Sequence, residues 1–176
     1  WKKEKMGESW YAGETLISAI GQGFVLTNPF QLAVMTSIIA SNGKMIEPTI
    51  IKGNRVSFKT NEKYSKEIKI IKKAMFKVVN ENKGTAFKSR LQDIKFAGKT
   101  GTSQVRRISL SERESDDFRE KEQEWKNRDH ALFVGYMPYD DPKYSISVII
   151  EHGGSGASTA APIAKQIFNY INELEV

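Results

Sequence analysis

The chain has 176 residues, of which 39% are hydrophobic and 27% charged, with 27 basic and 21 acidic side chains and a net charge of +6. That composition suits one globular domain around one core; no apolar run approaches the ~20 residues that cross a bilayer, and no signal peptide is visible at Trp1. Cysteine is absent, which excludes disulfides, thiol nucleophiles and thiolate metal sites.

The opening run Trp1-Lys2-Lys3-Glu4-Lys5 is not a natural start and reads as the continuation of a longer chain. Residues 27–43 predict a helix with both ends marked. Asn28 can cap the first amides, Pro29 suits the first helical position, and Gly43 suits the left-handed residue past the end. Phe30, Val34, Met35, Ile38 and Ile39 form its apolar stripe. A short extended segment, 45–52, follows and is broken by Pro48.

A second helix is expected over 63–82, with Ile68, Ile71, Met75, Val78 and Val79 on one face and Gly84 closing it. The next strand, 94–105, carries the run Gly98-Lys99-Thr100-Gly101-Thr102. The stretch 105–129 then reads as a charged insertion between strands. From 106 to 129 it holds seven basic and eight acidic residues, a composition that builds no core, with Trp125 as an aromatic anchor to the domain.

Residues 131–137 and 144–151 predict two strands of an antiparallel hairpin, joined by the turn formers Pro138-Tyr139-Asp140-Asp141-Pro142. The apolar run 146–150 predicts burial of the second strand on both faces. His152-Gly153-Gly154-Ser155-Gly156 reads as a flexible bend, with His152 a turn residue and not a base. A C-terminal helix from about residue 158 would turn Ile163, Ile167, Tyr170, Ile171 and Leu174 inward. Helices, a three-stranded antiparallel unit and a returning helix define an α+β fold, an antiparallel sheet flanked by helices.

His130 and His152 lie on separate segments without ligand spacing, so neither a metal nor a cofactor is expected. Lysines are spread along the chain without aromatic–basic interleaving. The positive charge therefore reads as a solvated surface, and no nucleic-acid partner is expected.

Taken alone, a Lys-Thr-Gly triplet is weak, and Lys99 would be read as a surface lysine on an edge strand. The surrounding blocks make it specific: Gly21-Gln22-Gly23 with Asn28-Pro29-Phe30-Gln31-Leu32, Gly84-Thr85-Ala86 after Met75 to Val79, Phe133-Val134-Gly135-Tyr136-Met137-Pro138, and Ala160-Ala161-Pro162. In this order, and over nearly the whole chain, they resemble the class B penicillin-binding proteins. The chain looks like the C-terminal part of their transpeptidase domain, in the branch that serves cell elongation.

The resemblance implies the C-terminal part of a serine β-lactamase-like fold over residues 1–176. It implies a peptidoglycan D,D-transpeptidase in which Lys99 is catalytic and Lys99, Thr100, Gly101 and Thr102 bind substrate. Its partners would be the peptidoglycan stem peptide, β-lactams and membrane proteins of the elongation complex. Its place would be the periplasmic face of the bacterial inner membrane, the parent protein being anchored by an N-terminal helix absent here.

The serine nucleophile of that family belongs to a Ser-x-x-Lys motif at a helix start. Ser41-Asn42-Gly43-Lys44 has the spacing but falls at a helix end, and Ser115-Asp116-Asp117 has the spacing of the second family motif but follows the Lys-Thr-Gly strand. Neither fits, so the chain is expected to lack the nucleophile, to need an upstream segment of the parent domain, and to be inactive alone. The alternative is a non-catalytic remnant or binding module of the same family.

Overall fold

A computed structural model describes residues 1–52, 58–60, 62–105 and 124–174. Helices α1 (Lys2–Met6) and α2 (Ala12–Ala19) open the chain. They are tied by Lys2, whose buried ammonium donates to the Ser9 carbonyl at 3.0 Å and pairs with Glu8 and Glu14. The ion pair with Glu14 raises the affinity of Lys2 for its proton, against a smaller opposing effect of burial. It correspondingly holds the Glu14 carboxyl below the usual carboxylate range, helped by the Tyr11 amide.

Helix α3 (Pro29–Ala40) begins as its sequence predicts: Asn28 accepts from the Gln31 amide at 2.9 Å, and the Gln31 side chain accepts from the Asn28 amide at 3.1 Å. Its end differs in one detail. The Gly43 amide donates to Ile38 at 2.8 Å and the Asn42 amide to Ile39 at 3.2 Å. The first left-handed residue is therefore Asn42 (φ 60°), followed by Gly43 (φ 92°). Asn tolerates this region better than most side chains, which lets the chain reverse one residue earlier than Gly43 alone would. The extended segment after it is shorter than expected, with β1 (Lys44–Ile46) pairing antiparallel with β2 (Phe58–Thr60).

Helix α4 (Ser65–Asn80) buries Ile68, Met75 and Val79. Ile71, expected on that face, is 42% exposed. The helix stops against Gly84, where a Cβ would stand 2.2 Å from the Val78 carbonyl oxygen; only glycine allows the chain to turn that close. Lys72 donates to the Ala40 carbonyl at 2.8 Å and to Asn42 Oδ1 at 2.9 Å, fastening α4 to the end of α3. Burial lowers its pKa, partly opposed by Asp140.

Three strands, β3 (Ala97–Ser103), β4 (His130–Met137) and β5 (Tyr144–Ile150), form an antiparallel sheet in the order β3-β4-β5. The β3–β4 ladder runs without interruption from Ala97 opposite Tyr136 to Ser103 opposite His130. One face of β4 contributes Ala131, Phe133 and Met137 to the main core, with Phe96, Val79, Ala161, Ala164 and Phe168. The other contributes Tyr136, against Ala40, Met75 and Ala97.

The strand buried on both faces is thus the central β4. The apolar run 146–150 lies instead on β5, which among the described residues pairs with β4 alone, and only Val148 in it is buried. Helix α5 (Ala161–Leu174) follows a π-helical turn, Gly156–Ala160, and packs on the main core through Ala161, Ala164 and Phe168. Ile167, Tyr170 and Leu174, expected inward, are 40%, 62% and 68% exposed. The alanines let the helix axis come close to the sheet, so the buried stripe follows them. Phe168 then fills the space beside Phe96, ring centroids 5.2 Å apart, and burial of such a side chain contributes roughly 1.5–3 kcal/mol. Among the described residues no helix is long and apolar enough to cross a membrane.

Candidate active site

The Lys-Thr-Gly run occupies β3, an outer strand of the described sheet. Its backbone polarity follows from two contacts just before it. The Lys95 carbonyl accepts from the Tyr139 amide at 2.8 Å, on the β4 side. The Phe96 carbonyl accepts from the Asn80 amide group at 2.9 Å, on the other side. Alternation along an antiparallel strand then directs the backbone groups of Thr100 and Thr102 away from β4, to the outer edge.

Asn80 closes that edge at Phe96, and the strand opens beyond it. Ala97 and Gly98 are buried, whereas Lys99, Thr102 and Ser103 are exposed. Gly98 has to be glycine, because a Cβ there would meet Phe133 Cζ at 2.2 Å and the Val134 oxygen at 2.7 Å.

The side chains alternate as the sequence implies, Lys99 and Gly101 on one face, Thr100 and Thr102 on the other. Thr100 shares a 2.8 Å hydrogen bond with Thr85, in the turn that ends α4, which moors the middle of the strand. Lys99 is exposed and its ammonium donates to the Thr100 carbonyl on the outer edge. At Gly101 a Cβ would press on Leu132 Cβ at 3.3 Å, and nothing else among the described residues lies within 4 Å of it, so glycine keeps the strand low on that face. The opposite side of the Gly101 backbone is covered by Gly156, where a Cβ would lie 2.4 Å from the Gly101 oxygen. All four sequence-predicted residues therefore fall on one outer strand, Lys99 and Thr102 exposed and Thr100 and Gly101 half-buried, with a positive charge, the Thr102 hydroxyl and an outward amide at its edge.

Ser41 does not join them. It caps the end of α3, and its hydroxyl lies 3.2 Å from the Ile38 and Lys44 carbonyls, so its spacing partner meets it through the backbone. It opens into a polar depression of about 590 Å³ with Asn42, Lys44 and Asp140, at the hairpin end of the sheet. Ser115, and the insertion from 106 to 123, lie outside the described residues.

Two features escaped the sequence reading. His130 and His152 are neighbours, not residents of unrelated segments: the His152 amide donates to His130 Nδ1 at 2.9 Å. Pairing of β4 with β5 brings the two together across 22 residues. The bend 152–156 is also anchored, with the Gly154 amide on the Asp129 carbonyl at 2.8 Å and the Thr159 hydroxyl on Gly153 at 2.8 Å. Trp125, 62% exposed, sets its ring 4.4 Å from that of His152. Among the described residues no group of three His, Cys, Asp or Glu could hold a metal ion.

The model of the penicillin-binding protein transpeptidase domain matches residues 2–169. The peptidoglycan D,D-transpeptidase MrdA of Haemophilus influenzae is 34% identical over 97% of this chain, which spans 27% of that protein. A solved complex between penicillin-binding protein 2 and MreC from Helicobacter pylori superimposes with a TM-score of 0.81 at 33% identity, covering 99% of this chain and 30% of that one. Penicillin-binding protein 2 of Pseudomonas aeruginosa, solved in complex with WCK 5153, gives 0.70 at 30% identity, covering 96% and 34%. The chain spans about a third or less of the relatives it matches. With the fold, the strand and the matched length in agreement, the chain belongs to the penicillin-binding protein transpeptidase family, as part of a domain resembling that of penicillin-binding protein 2.

Proposed function

We propose that this chain is the C-terminal part of a peptidoglycan D,D-transpeptidase of cell elongation, and that Lys99, Thr100, Gly101 and Thr102 are its substrate-binding strand. The observation that carries the reading is the Lys-Thr-Gly-Thr run on a strand edge that opens immediately past Asn80. A D-Ala-D-Ala terminus, or a β-lactam that imitates it, lies along this edge as an added strand and exchanges main-chain hydrogen bonds with it.

Lys99 sets a positive charge beside the substrate carboxylate and the proton-relay groups. The Thr102 hydroxyl contacts that carboxylate, and its outward amide donates to the oxyanion of the tetrahedral intermediate, forming half of the hole. Gly101 leaves room for the ligand backbone, while Thr85 holds the Thr100 hydroxyl and the Lys99 ammonium caps the Thr100 carbonyl until a ligand displaces it.

The nucleophile is a serine outside this chain. Its oxygen attacks the carbonyl carbon of the penultimate D-alanine, the terminal D-alanine leaves as the amine, and an amine of a neighbouring stem peptide resolves the acyl-enzyme. The parent protein would work at the periplasmic face of the bacterial inner membrane, held by an N-terminal helix and accompanied by membrane proteins of the elongation complex. A similar protein of Helicobacter pylori, solved with MreC, supports that partnership.

The test uses a fluorescent penicillin and intact mass. The full-length protein should form the adduct and this chain alone should not. In the full-length protein, Lys99→Ala and Thr102→Ala should each slow acylation by ~10²-fold or more, with stability changed by no more than about 0.5 kcal/mol because both side chains are exposed. An adduct on this chain alone would locate the nucleophile here. Unchanged acylation in both variants would remove the role given to the strand, and a full-length protein that takes up no penicillin would favour the non-catalytic module.

A further inference from the structure

We propose that His130 is a positioning residue of this site: through His152 it holds the turn whose Gly156 backbone lies on Gly101, and so sets the substrate-binding end of β3. The inference rests on the reading of β3 as the substrate-binding strand. No side chain of the pair need touch the ligand.

His130 is the first residue of β4. It closes the β3–β4 ladder opposite Ser103, one pair beyond Thr102 and Ala131. Its Nδ1 accepts the His152 amide, so the neutral ring carries its proton on Nε2. His152 Nδ1 lies 3.1 Å from the Arg128 carbonyl, which can only accept, so that nitrogen carries a proton. His152 itself is held at φ 54°, a conformation L side chains rarely adopt. The two rings meet edge to face at 4.8 Å, and Trp125 covers the His152 ring at 4.4 Å.

The start of β4 thus grips the turn at successive points: Arg128 on the His152 ring, Asp129 on the Gly154 amide, and His130 on the His152 amide. What the turn delivers is Gly156. A Cβ there would stand 2.3 Å from the Leu132 oxygen, 2.4 Å from the Gly101 oxygen and 2.9 Å from the Gly101 nitrogen. The turn is therefore in van der Waals contact with the ladder under the Lys-Thr-Gly run, and the thread from His130 to Gly101 is continuous. The aromatic end of that thread is Trp125, whose ring lies 4.4 Å from that of His152.

The experiment compares His130→Leu, which keeps bulk and removes the acceptor, with His130→Asn, whose Oδ1 stands where Nδ1 did. Both are made in the full-length protein. Hydrogen–deuterium exchange across 98–104 is read first, then the fluorescent-penicillin reaction, resolved into the non-covalent constant and the acylation rate constant. His130→Leu should raise exchange across 98–104 about tenfold. It should slow acylation by roughly 10–100-fold, mostly in the rate constant, since a misplacement near 1 Å can cost ~10². His130→Asn should bring both back to within about threefold of the parent.

Should His130→Leu not fold, Trp125→Ala serves. Its ring is 62% exposed, and its removal should raise exchange in 151–156 and, less strongly, in 98–104. Equal behaviour of Leu and Asn, or a loss of stability with exchange across 98–104 unchanged, would overturn the proposal. For Trp125→Ala the overturning result is unchanged exchange across both segments. Exchange needs no turnover. Asn-rescued exchange in a protein that never reacts with penicillin would uphold the positioning contact while sinking the transpeptidase reading.

Discussion

Gly156→Ala is the sharpest perturbation of the site, because it adds one carbon where the backbone leaves no space. The new Cβ would lie 2.3 Å from the Leu132 oxygen and 2.4 Å from the Gly101 oxygen, whereas ordinary contact begins at 3.4 Å. Both neighbours are ladder backbone and cannot rotate aside, so turn and sheet must part by about 1 Å, an overpacking that typically costs 1–3 kcal/mol. The same 1 Å, transmitted to Gly101, should slow acylation by ~10²-fold.

The control is Gly154→Ala, two residues away. There φ is 79° and nothing stands within 4 Å of a Cβ, so the substitution costs about 1–2 kcal/mol of left-handed strain without pressing on the sheet. Fluorescent-penicillin acylation of the full-length variants, at a temperature where both are folded, separates stability from geometry. Comparable Tm losses with slow acylation in Gly156→Ala alone are expected. Equal acylation in the two variants, or a wild-type rate in Gly156→Ala, would refute the claim that the turn sets the strand.

Two further outcomes follow from buried polar groups. Tyr136 is fully buried, its hydroxyl has no hydrogen-bond partner among the described residues, and burial pushes its pKa well above the usual tyrosine range. An unsatisfied buried hydroxyl costs roughly 1–3 kcal/mol, so Tyr136→Phe should raise stability by about 1 kcal/mol in urea titration, and a fall would mean that the hydroxyl is bonded. The pair Lys2–Glu14 makes the α1–α2 unit acid-sensitive. Glu14 is held below its ordinary value of 4.5, so its contribution is present above that pH and is lost as pH falls through the lowered value. Amide exchange at Tyr11 and Glu14 should rise as the pH falls through that lowered value, and Glu14→Gln should remove that step.

What could be read from the sequence was what depends on local chemistry. Asn28, Pro29 and Gln31 write the start of α3 into adjacent residues, and the Lys-Thr-Gly run lies within the segment 94–105 that reads as a strand, which β3 occupies over Ala97–Ser103. The inward face of α5 could not be read in that way. Hydrophobicity nominated Ile167 and Leu174, but the distance between helix and sheet chose Ala161 and Ala164, and small side chains reveal closeness only once the partner surface is known. The doubly buried strand was missed for a related reason: an apolar run states affinity for the core, while the order β3-β4-β5 decides which strand has two neighbours.

The histidine pair belongs to a third category, contacts made by the ladder itself. His130 begins β4 and His152 follows β5, and no spacing rule connects residues 22 apart until the hairpin register is fixed. Once it is, the same ladder accounts for both ends of the site. Asn80 stops the outer edge at Phe96, so the edge becomes free just where Lys99 begins. His130 ends the described ladder opposite Ser103, one pair past Thr102, the residue proposed to present its amide to the ligand. The turn 152–156 meets the strand there through Gly156, on the side of Gly101 away from the Lys99 face, so the support proposed for β3 and the face proposed for the ligand are on opposite sides of one strand.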